Sequence, residues 1–162
     1  ERVVDGPVVM VPMGQSRVAG NGTLLRSLGL GSCLAVIIFA PRQGLAGVAH
    51  CMLPHADQGG SPASKYVDTA IPDLLHQLSA AGASEPFSAT LVGGASMFPA
   101  FSEGVLRDIA GGNVSTARTV LTNSAVPVRS EDVGGHVGRS VLVDPSTQRV
   151  IVHTIREGDR CL

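Results

Sequence analysis

The chain has 162 residues, of which 44% are hydrophobic and only 3% aromatic, and its formal net charge is −1. This length suffices for one domain with its own core, which we expect to span residues 1–162. The near-neutral charge, with no basic run and no cluster of stacking aromatics, argues against a nucleic-acid partner. The longest apolar run, residues 33–40, is far shorter than the roughly 20 residues that cross a bilayer, so direct membrane insertion is not expected.

The cysteine count points to a reducing environment. Three cysteines, Cys33, Cys51 and Cys161, are too few and too widely spaced to form a disulfide framework. An odd number of thiols suits a reducing compartment, and no secretory signal is visible in the sequence. We therefore expect a cytoplasmic protein.

Short apolar runs bounded by turn residues predict most of the strands. In chain order these runs occupy residues 8–11, 34–40, 45–52, 89–92, 126–128, 138–143 and 149–154. Residues 23–26 lead into a glycine-rich turn that closes at Cys33, and residues 131–135 are predicted to form a polar turn.

Apolar residues at helical spacing predict two helices. The first is expected to end at Gly82, and Pro72 implies that it either starts late or kinks. The second is predicted with Asn113 as its N-cap. Because strands outnumber helices and cluster in hairpins, the sequence predicts an α+β fold with mostly antiparallel, mixed sheets layered with two main helices.

Cys33 and His50 are the candidate nucleophile and base, since a thiol beside an imidazole can attack a carbonyl. They lie at the open end of the hairpin predicted from residues 34–40 and 45–52. Paired residue numbers in an antiparallel hairpin have a constant sum. An odd sum places the two side chains on one face, with Cβ atoms roughly 4.5 to 8 Å apart, and an even sum places them on opposite faces. The sequence leaves both registers open.

The glycines around the cysteine favour a catalytic role. Gly29 and Gly31 allow a sharp turn, so N–H groups near Gly31 and Ser32 can lower the pKa of the thiol and hold an oxyanion. The commoner uses of these residue types remain open, namely a small buried cysteine and a histidine of the partial core.

A metal site built from Cys33, His50, Cys51 and His55 is a further alternative. It is disfavoured because adjacent residues of a strand face opposite sides of the sheet. We therefore expect neither a metal nor another cofactor.

Five segments, taken in order, resemble the CheD family of chemoreceptor glutamine deamidases. They are residues 28–33, 49–54, 65–70, 93–98 and 131–139. The resemblance implies that Cys33 is the nucleophile and His50 the base. Ser27 occupies the position of the family's threonine, six residues before the cysteine, and keeps the hydroxyl that would orient the imidazole.

The same resemblance implies an activity, partners and further site residues. The family hydrolyses glutamine side chains of chemoreceptors to glutamate, with release of ammonia through a cysteine thioester, in chemotaxis adaptation. Its fold is that of a cysteine deamidase, and its partners are the cytoplasmic helical bundle of the receptors and a CheC-type phosphatase. The alternative is a non-catalytic or dual-role protein that binds these partners. The matching substrate-cleft candidates are Lys65, Tyr66, Gly93, Gly94, Met97 and Phe98.

Two further features of the sequence are a missing arginine before the second helix and a charged segment beside paired glycines. The family often has an arginine just before the residue that corresponds to Asn113, and this chain has Gly112 there. Glu131, Asp132 and Arg139 are expected to shape and tie down a turn rather than to take part in chemistry.

Overall fold

The computed structural model describes residues 5–57, 59–97 and 105–162, and the side chains of residues 105–108 are outside that description. Strands predominate in it. The described strands are β1 Val8–Met10, β2 Ser16–Ala19, β3 Leu24–Leu30, β4 Leu34–Ala40, β5 Leu45–Cys51, β6 Ser88–Gly93, β7 Val128–Val133, β8 Arg139–Asp144, β9 Arg149–Thr154 and β10 Gly158–Cys161. The described helices are a short 3-10 helix, Ala63–Lys65, and the α-helices α1 Val67–Ala80 and α2 Val105–Asn123.

The strands form two five-stranded sheets. The first sheet has the order β1-β3-β8-β9-β10, and the second has the order β2-β5-β4-β6-β7. The β1–β3 and β6–β7 pairs are parallel, and all other pairs are antiparallel. The predicted α+β fold with mostly antiparallel, mixed sheets and two main helices is therefore confirmed.

The second sheet is the middle layer, because β4 is buried on both faces. Leu34 and Val36 pack with apolar residues of α1 and α2. Cys33, Ala35 and Ile37 pack instead with apolar residues of the first sheet. Burial on two faces explains why this strand is a continuous apolar run rather than an alternating one.

Helix α1 ends as the sequence predicts. Gly82 has a φ of +96°, and the N–H of Ala83 donates to the carbonyl of Leu78 at 2.9 Å. This is the Schellman arrangement, which satisfies carbonyls at the end of a helix. The helix begins at Val67, before Pro72, so the late start is ruled out.

The glycine-rich turn is shorter than predicted. Strand β3 continues to Leu30 and takes in Ser27, which pairs with Val141 of β8. A register shift between Ser27 and Leu30 accommodates Gly29, whose φ is +68°. The positive φ is absorbed by a bulge inside the strand instead of ending it.

The N-cap assignment of Asn113 is wrong. Helix α2 begins at Val105, so Asn113 lies in its interior with its side chain fully buried. Gly111 and Gly112, which directly precede it, also lie inside helix α2. At Gly112 a Cβ would meet Pro54 at 3.4 Å, an ordinary van der Waals contact.

The polar turn at residues 131–135 is mostly a strand. Strand β7 runs to Val133 as an edge of the second sheet, and only Gly134 and Gly135 turn, both with positive φ. Glu131 lies within β7 rather than in a turn, and its carboxylate accepts from Nε of Arg118 on α2 at 2.8 Å. Polar residues on a half-exposed edge strand gave the misleading turn signal. Strands β2 and β10 were not predicted.

Neither of the α-helices in the described part of the chain has the length and apolar character needed to span a membrane.

Candidate active site

The register of the β4–β5 hairpin places Cys33 and His50 on the same face. Ala35 pairs with His50 and Leu34 with Cys51, so the sum of paired numbers is odd. Cys33 lies directly before β4 and shares the face of Ala35, diagonally across from His50. Side chains at diagonal positions of an antiparallel pair remain close enough to interact. Of the two registers that the sequence left open, the structure has the one that allows a cysteine–histidine pair.

A hydrogen-bond chain fixes the tautomer of His50. The hydroxyl of Ser27 donates to the carbonyl of Val11 at 3.1 Å. Its oxygen lies 2.8 Å from Nδ1 of His50. A hydroxyl has one proton, so a serine that donates to Val11 must accept from the imidazole. Nδ1 therefore carries the proton, and Nε2 keeps the lone pair that a general base requires.

Nε2 of His50 is free to accept a hydrogen bond from a reacting group. The imidazole is 1% exposed, and among the described residues Nε2 has no hydrogen-bond partner. An unpaired buried acceptor is costly, about 1 to 3 kcal/mol. Such an atom is typical of a site in which another group, such as a thiol or a substrate, takes the bond during a reaction.

Burial disfavours the charged forms of both Cys33 and His50. It raises the pKa of the Cys33 thiol, an effect that the backbone N–H of Cys33 partly opposes. Burial also lowers the pKa of His50, against the smaller, opposing effect of the Val11 carbonyl. Both directions disfavour charge separation, so the arrangement favours a thiol and a neutral imidazole that exchange a proton as the reaction proceeds.

The segment after β6 holds the turn that carries Cys33. The N–H of Gly94 donates to the carbonyl of Cys33, and the N–H of Ala95 donates to that of Gly31, both at 2.8 Å. At Gly93, where φ is +121°, a Cβ would overlap the carbonyl oxygen of Cys33. These two cleft candidates therefore pack on the backbone of Cys33, the candidate nucleophile, where a larger residue would displace it.

Met97 lies over the same turn. Its sulfur is placed so that a Cβ on Gly31 would come within 2.8 Å of it, and Gly138 is similarly close. The Met97 side chain is nevertheless 45% exposed. It thus lies both beside the glycine turn and at the surface, whereas Phe98 is outside the described residues.

Lys65 and Tyr66 lie at the end of β5. The carbonyl of Lys65 accepts from the N–H of Met52 at 2.8 Å. The Lys65 ammonium lies 5.5 Å from the centre of the Tyr66 ring. That ring packs so closely on Gly60 that a Cβ there would overlap it. These contacts brace the strand end and the loop that follows it.

Asn113 is a site residue that the sequence did not reveal. Its Nδ2 donates to the carbonyl of Ser32 at 2.9 Å and to that of Met52 at 3.2 Å. Both carbonyls are neighbours of the two buried cysteines. The role of the Val11 carbonyl was also missed, because a backbone acceptor leaves no signal in sequence.

Asp132 and Arg139 tie down the turn after β7, as the sequence predicts. Their charged groups lie 3.1 Å apart, and the guanidinium also donates to the carbonyl of Gly134 at 2.8 Å. Arg160 of β10 forms a second ion pair with Asp132. The aspartate thus joins the edge of the second sheet to two strands of the first.

The residues considered as an alternative metal site do not all lie on one side of the second sheet. Cys51 packs among apolar residues on the side of the helices, whereas Cys33 faces the first sheet. Within the described ranges, no group of three or more His, Cys, Asp or Glu residues could hold a metal ion.

Comparison with known proteins assigns the family. The model of the family described as CheD chemotactic sensory transduction matches residues 52–154, more than half of the chain. The chain belongs to the CheD family. The curated relatives of this CheD chain include a chemoreceptor glutamine deamidase of Halalkalibacterium halodurans, 35% identical over 94% of the chain and 97% of the relative. A probable chemoreceptor glutamine deamidase of Geobacillus kaustophilus is 37% identical over 90% and 92%.

A third relative of this CheD chain, a probable chemoreceptor glutamine deamidase of Archaeoglobus fulgidus, is 33% identical over 95% of the chain and 98% of the relative. The family model match begins after Cys33 and His50. The curated relatives cover nearly the whole chain, so these matches include the segment that carries both residues.

Proposed function

We propose that this CheD chain, acting as one domain, deamidates glutamine side chains of chemoreceptors to glutamate and releases ammonia. The names of the three relatives, each a chemoreceptor glutamine deamidase or probable one, support the reaction class. The observation that carries the proposal is the 2.8 Å contact between Ser27 and Nδ1 of His50. It leaves Nε2 basic on the face of the sheet that Cys33 shares.

The chemistry proceeds in two balanced stages. The Cys33 sulfur attacks the carboxamide carbon and forms a C–S bond, while its proton passes to Nε2 of His50. The C–N bond then breaks, and His50 gives that proton to the departing nitrogen, so ammonia leaves and a thioester remains. Water next gives a proton to Nε2, and its oxygen attacks the thioester carbon. The C–S bond then breaks while Nε2 returns that proton to the sulfur, which gives the thiol and a glutamic acid side chain that ionises to glutamate.

The developing oxyanion requires hydrogen-bond donors. The backbone N–H of Cys33 is in the same residue as the sulfur, and it partly opposes the rise that burial causes in the pKa of the thiol. The same group is therefore close to where the oxygen of the carboxamide becomes negative. Removing one donor from an oxyanion hole costs about 10² to 10³ in rate in well-studied hydrolases. No metal or cofactor is required by this scheme.

The surface near the site supports a protein substrate. Met13, Leu28 and Met97 are 55%, 52% and 45% exposed and lie close in sequence or space to the residues of the site. We propose that these side chains contact a protein substrate, the class of substrate that the names of the relatives give. We propose that the substrate is the cytoplasmic helical bundle of the receptor, that a CheC-type phosphatase is a second partner, and that the protein acts in the cytoplasm.

The test is deamidation of a receptor cytoplasmic fragment by the wild-type chain and by Cys33→Ala. Mass spectrometry locates each glutamine converted to glutamate, and a coupled assay measures ammonia. We expect conversion with the wild type and none with Cys33→Ala. Ammonia release that persists in the variant would show that another group is the nucleophile.

The wild-type chain and Cys33→Ala also distinguish an enzyme from a protein that only binds its partners. Receptor and phosphatase binding are measured on both chains by pull-down. Equal binding with turnover in the wild type alone fits an enzyme that also docks its partners. Binding by a wild-type chain that never releases ammonia would favour the non-catalytic alternative.

A further inference from the structure

Helix α2 reaches the nucleophile through one side chain. Asn113 is fully buried, and its Nδ2 donates to the carbonyls of Ser32 and Met52 at 2.9 and 3.2 Å. Ser32 directly precedes Cys33, and extending the hairpin register by one pair places Met52 opposite Cys33. The amide thus joins the two strand ends at the level of the thiol.

The peptide between Ser32 and Cys33 transmits the effect of this contact. A trans peptide is planar, and its C=O and N–H point in opposite directions. Holding the Ser32 oxygen against Asn113 therefore turns the N–H of Cys33 away from Asn113. That N–H belongs to the same residue as the sulfur and partly opposes the rise in the pKa of the thiol. Within the described part of the chain, no backbone carbonyl accepts it.

The choice of residue also needs an explanation. Asparagine is a poor helix former in a helix interior, and Oδ1 of Asn113 is buried without a partner among the described residues. A buried unpaired acceptor costs about 1 to 3 kcal/mol, which a leucine of similar size would avoid. A position that tolerates such a penalty is typical of a functional requirement for its donor.

We propose that Asn113 is a positioning residue that aims the N–H of Cys33 at the oxyanion. Asn113 does not touch the substrate in this account. It holds the Ser32 carbonyl, and the N–H of the same peptide then stabilises the negative oxygen of the tetrahedral intermediate. The inference rests on the proposed cysteine chemistry, but it concerns acyl transfer to Cys33 rather than the identity of the substrate.

Two reactions of the same thiol separate positioning from general support. Acylation by 4-nitrophenyl acetate passes through a tetrahedral oxyanion, whereas alkylation by iodoacetamide is a displacement that forms none. Both are measured in a Cys161→Ser background, because Cys161 is exposed whereas Cys51 is buried. Neither probe requires a receptor.

The variants are Asn113→Ala and the matched control Asn123→Ala, which removes an exposed asparagine at the end of the same helix. For Asn113→Ala we expect acylation to fall about 10- to 100-fold, less than the loss of a complete donor, because the N–H is misaimed rather than deleted. Alkylation, compared at its plateau at high pH, should not change. Asn123→Ala should leave both rates unchanged.

Two results would overturn the inference. Unchanged acylation would show that the N–H needs no help from Asn113, and a parallel loss of both rates would show that Asn113 supports the thiol itself. Asn113→Ser keeps one hydrogen-bond donor, so its acylation rate should lie between those of the wild type and Asn113→Ala. If Asn113→Ala does not fold, Asn113→Ser decides by the same comparison of rates.

Failure of the proposed function has a different signature. A wild-type chain that is acylated at Cys33 but releases no ammonia from receptor glutamines would refute the deamidase proposal. The effect of Asn113 on acylation would remain measurable in that chain.

Discussion

Replacing Ser27 with alanine removes the hydroxyl that orients the imidazole. The side chain is fully buried, and its oxygen joins the Val11 carbonyl, at 3.1 Å, to Nδ1 of His50, at 2.8 Å. In Ser27→Ala the Nδ1–H loses this acceptor. The nearby Val11 carbonyl, which already favours a proton on the ring, remains as a substitute.

The expected loss of rate is small because the Val11 carbonyl can replace the Ser27 hydroxyl as the acceptor for Nδ1–H. A buried neutral hydrogen bond contributes about 0.5 to 1.5 kcal/mol net, and 1.36 kcal/mol corresponds to about tenfold in rate. We therefore expect kcat to fall about 2- to 10-fold in Ser27→Ala. This loss is far smaller than the roughly 10⁴-fold penalty for the wrong histidine tautomer in a serine hydrolase, because an acceptor for Nδ1–H survives.

The assay is ammonia release from a receptor fragment, with kcat and KM determined below the melting temperature of each variant. Ser27→Thr is the matched control, since it keeps the hydroxyl and restores the residue that the family has. Its kcat should equal or exceed that of the wild type, because the added methyl restricts χ1. Wild-type kcat in Ser27→Ala, or equal losses in both variants, would refute the role of the hydroxyl.

Three further expectations follow from the same geometry. Gly93→Ala should lose turnover and about 1 to 3 kcal/mol of stability, because φ is +121° and the Cβ would overlap the Cys33 carbonyl. The control Gly111→Ala should retain turnover, because a Cβ there meets nothing within 4 Å. Ammonia release and thermal melting are measured for both variants. Burial lowers the pKa of His50 below its usual 6.5, so the unfolded state binds the proton more tightly. The free energy of unfolding should fall as pH drops below about 6.5, by at most about 1.4 kcal/mol per pH unit from this group, and His50→Phe should lose that slope in denaturant titrations. Burial raises the pKa of Cys33, so alkylation by iodoacetamide in the Cys161→Ser background should increase through the alkaline range; a plateau already reached below neutrality would indicate a resting thiolate instead.

The sequence predicted the hairpin that carries the site but not its register. The apolar run of β4 and the turn after it specify two antiparallel strands. A register shifted by one residue would place Cys33 and His50 on opposite faces of the sheet. The composition of the turn alone does not decide the register. The register is fixed in three dimensions, because β4 must bury one set of side chains on the helices and the other on the first sheet.

The errors have a common physical origin in contacts between distant segments. Ser27 looks like a turn residue beside glycines, yet pairing with β8 draws it into β3. Asn113 has the residue type of an N-cap, yet its amide binds carbonyls 61 and 81 positions away in the chain. Local propensity does not encode such partners. The family resemblance predicts Ser27 as a site residue, but it gives no role to Asn113.

The most direct measurement of the central claim is a search for the thioester. Wild-type chain and receptor fragment are mixed, quenched in acid within one turnover, and analysed by intact mass spectrometry. We expect a covalent adduct of the two chains that hydroxylamine cleaves and that Cys33→Ala does not form. Deamidated receptor that accumulates without any adduct, and equally with Cys33→Ala, would contradict the account.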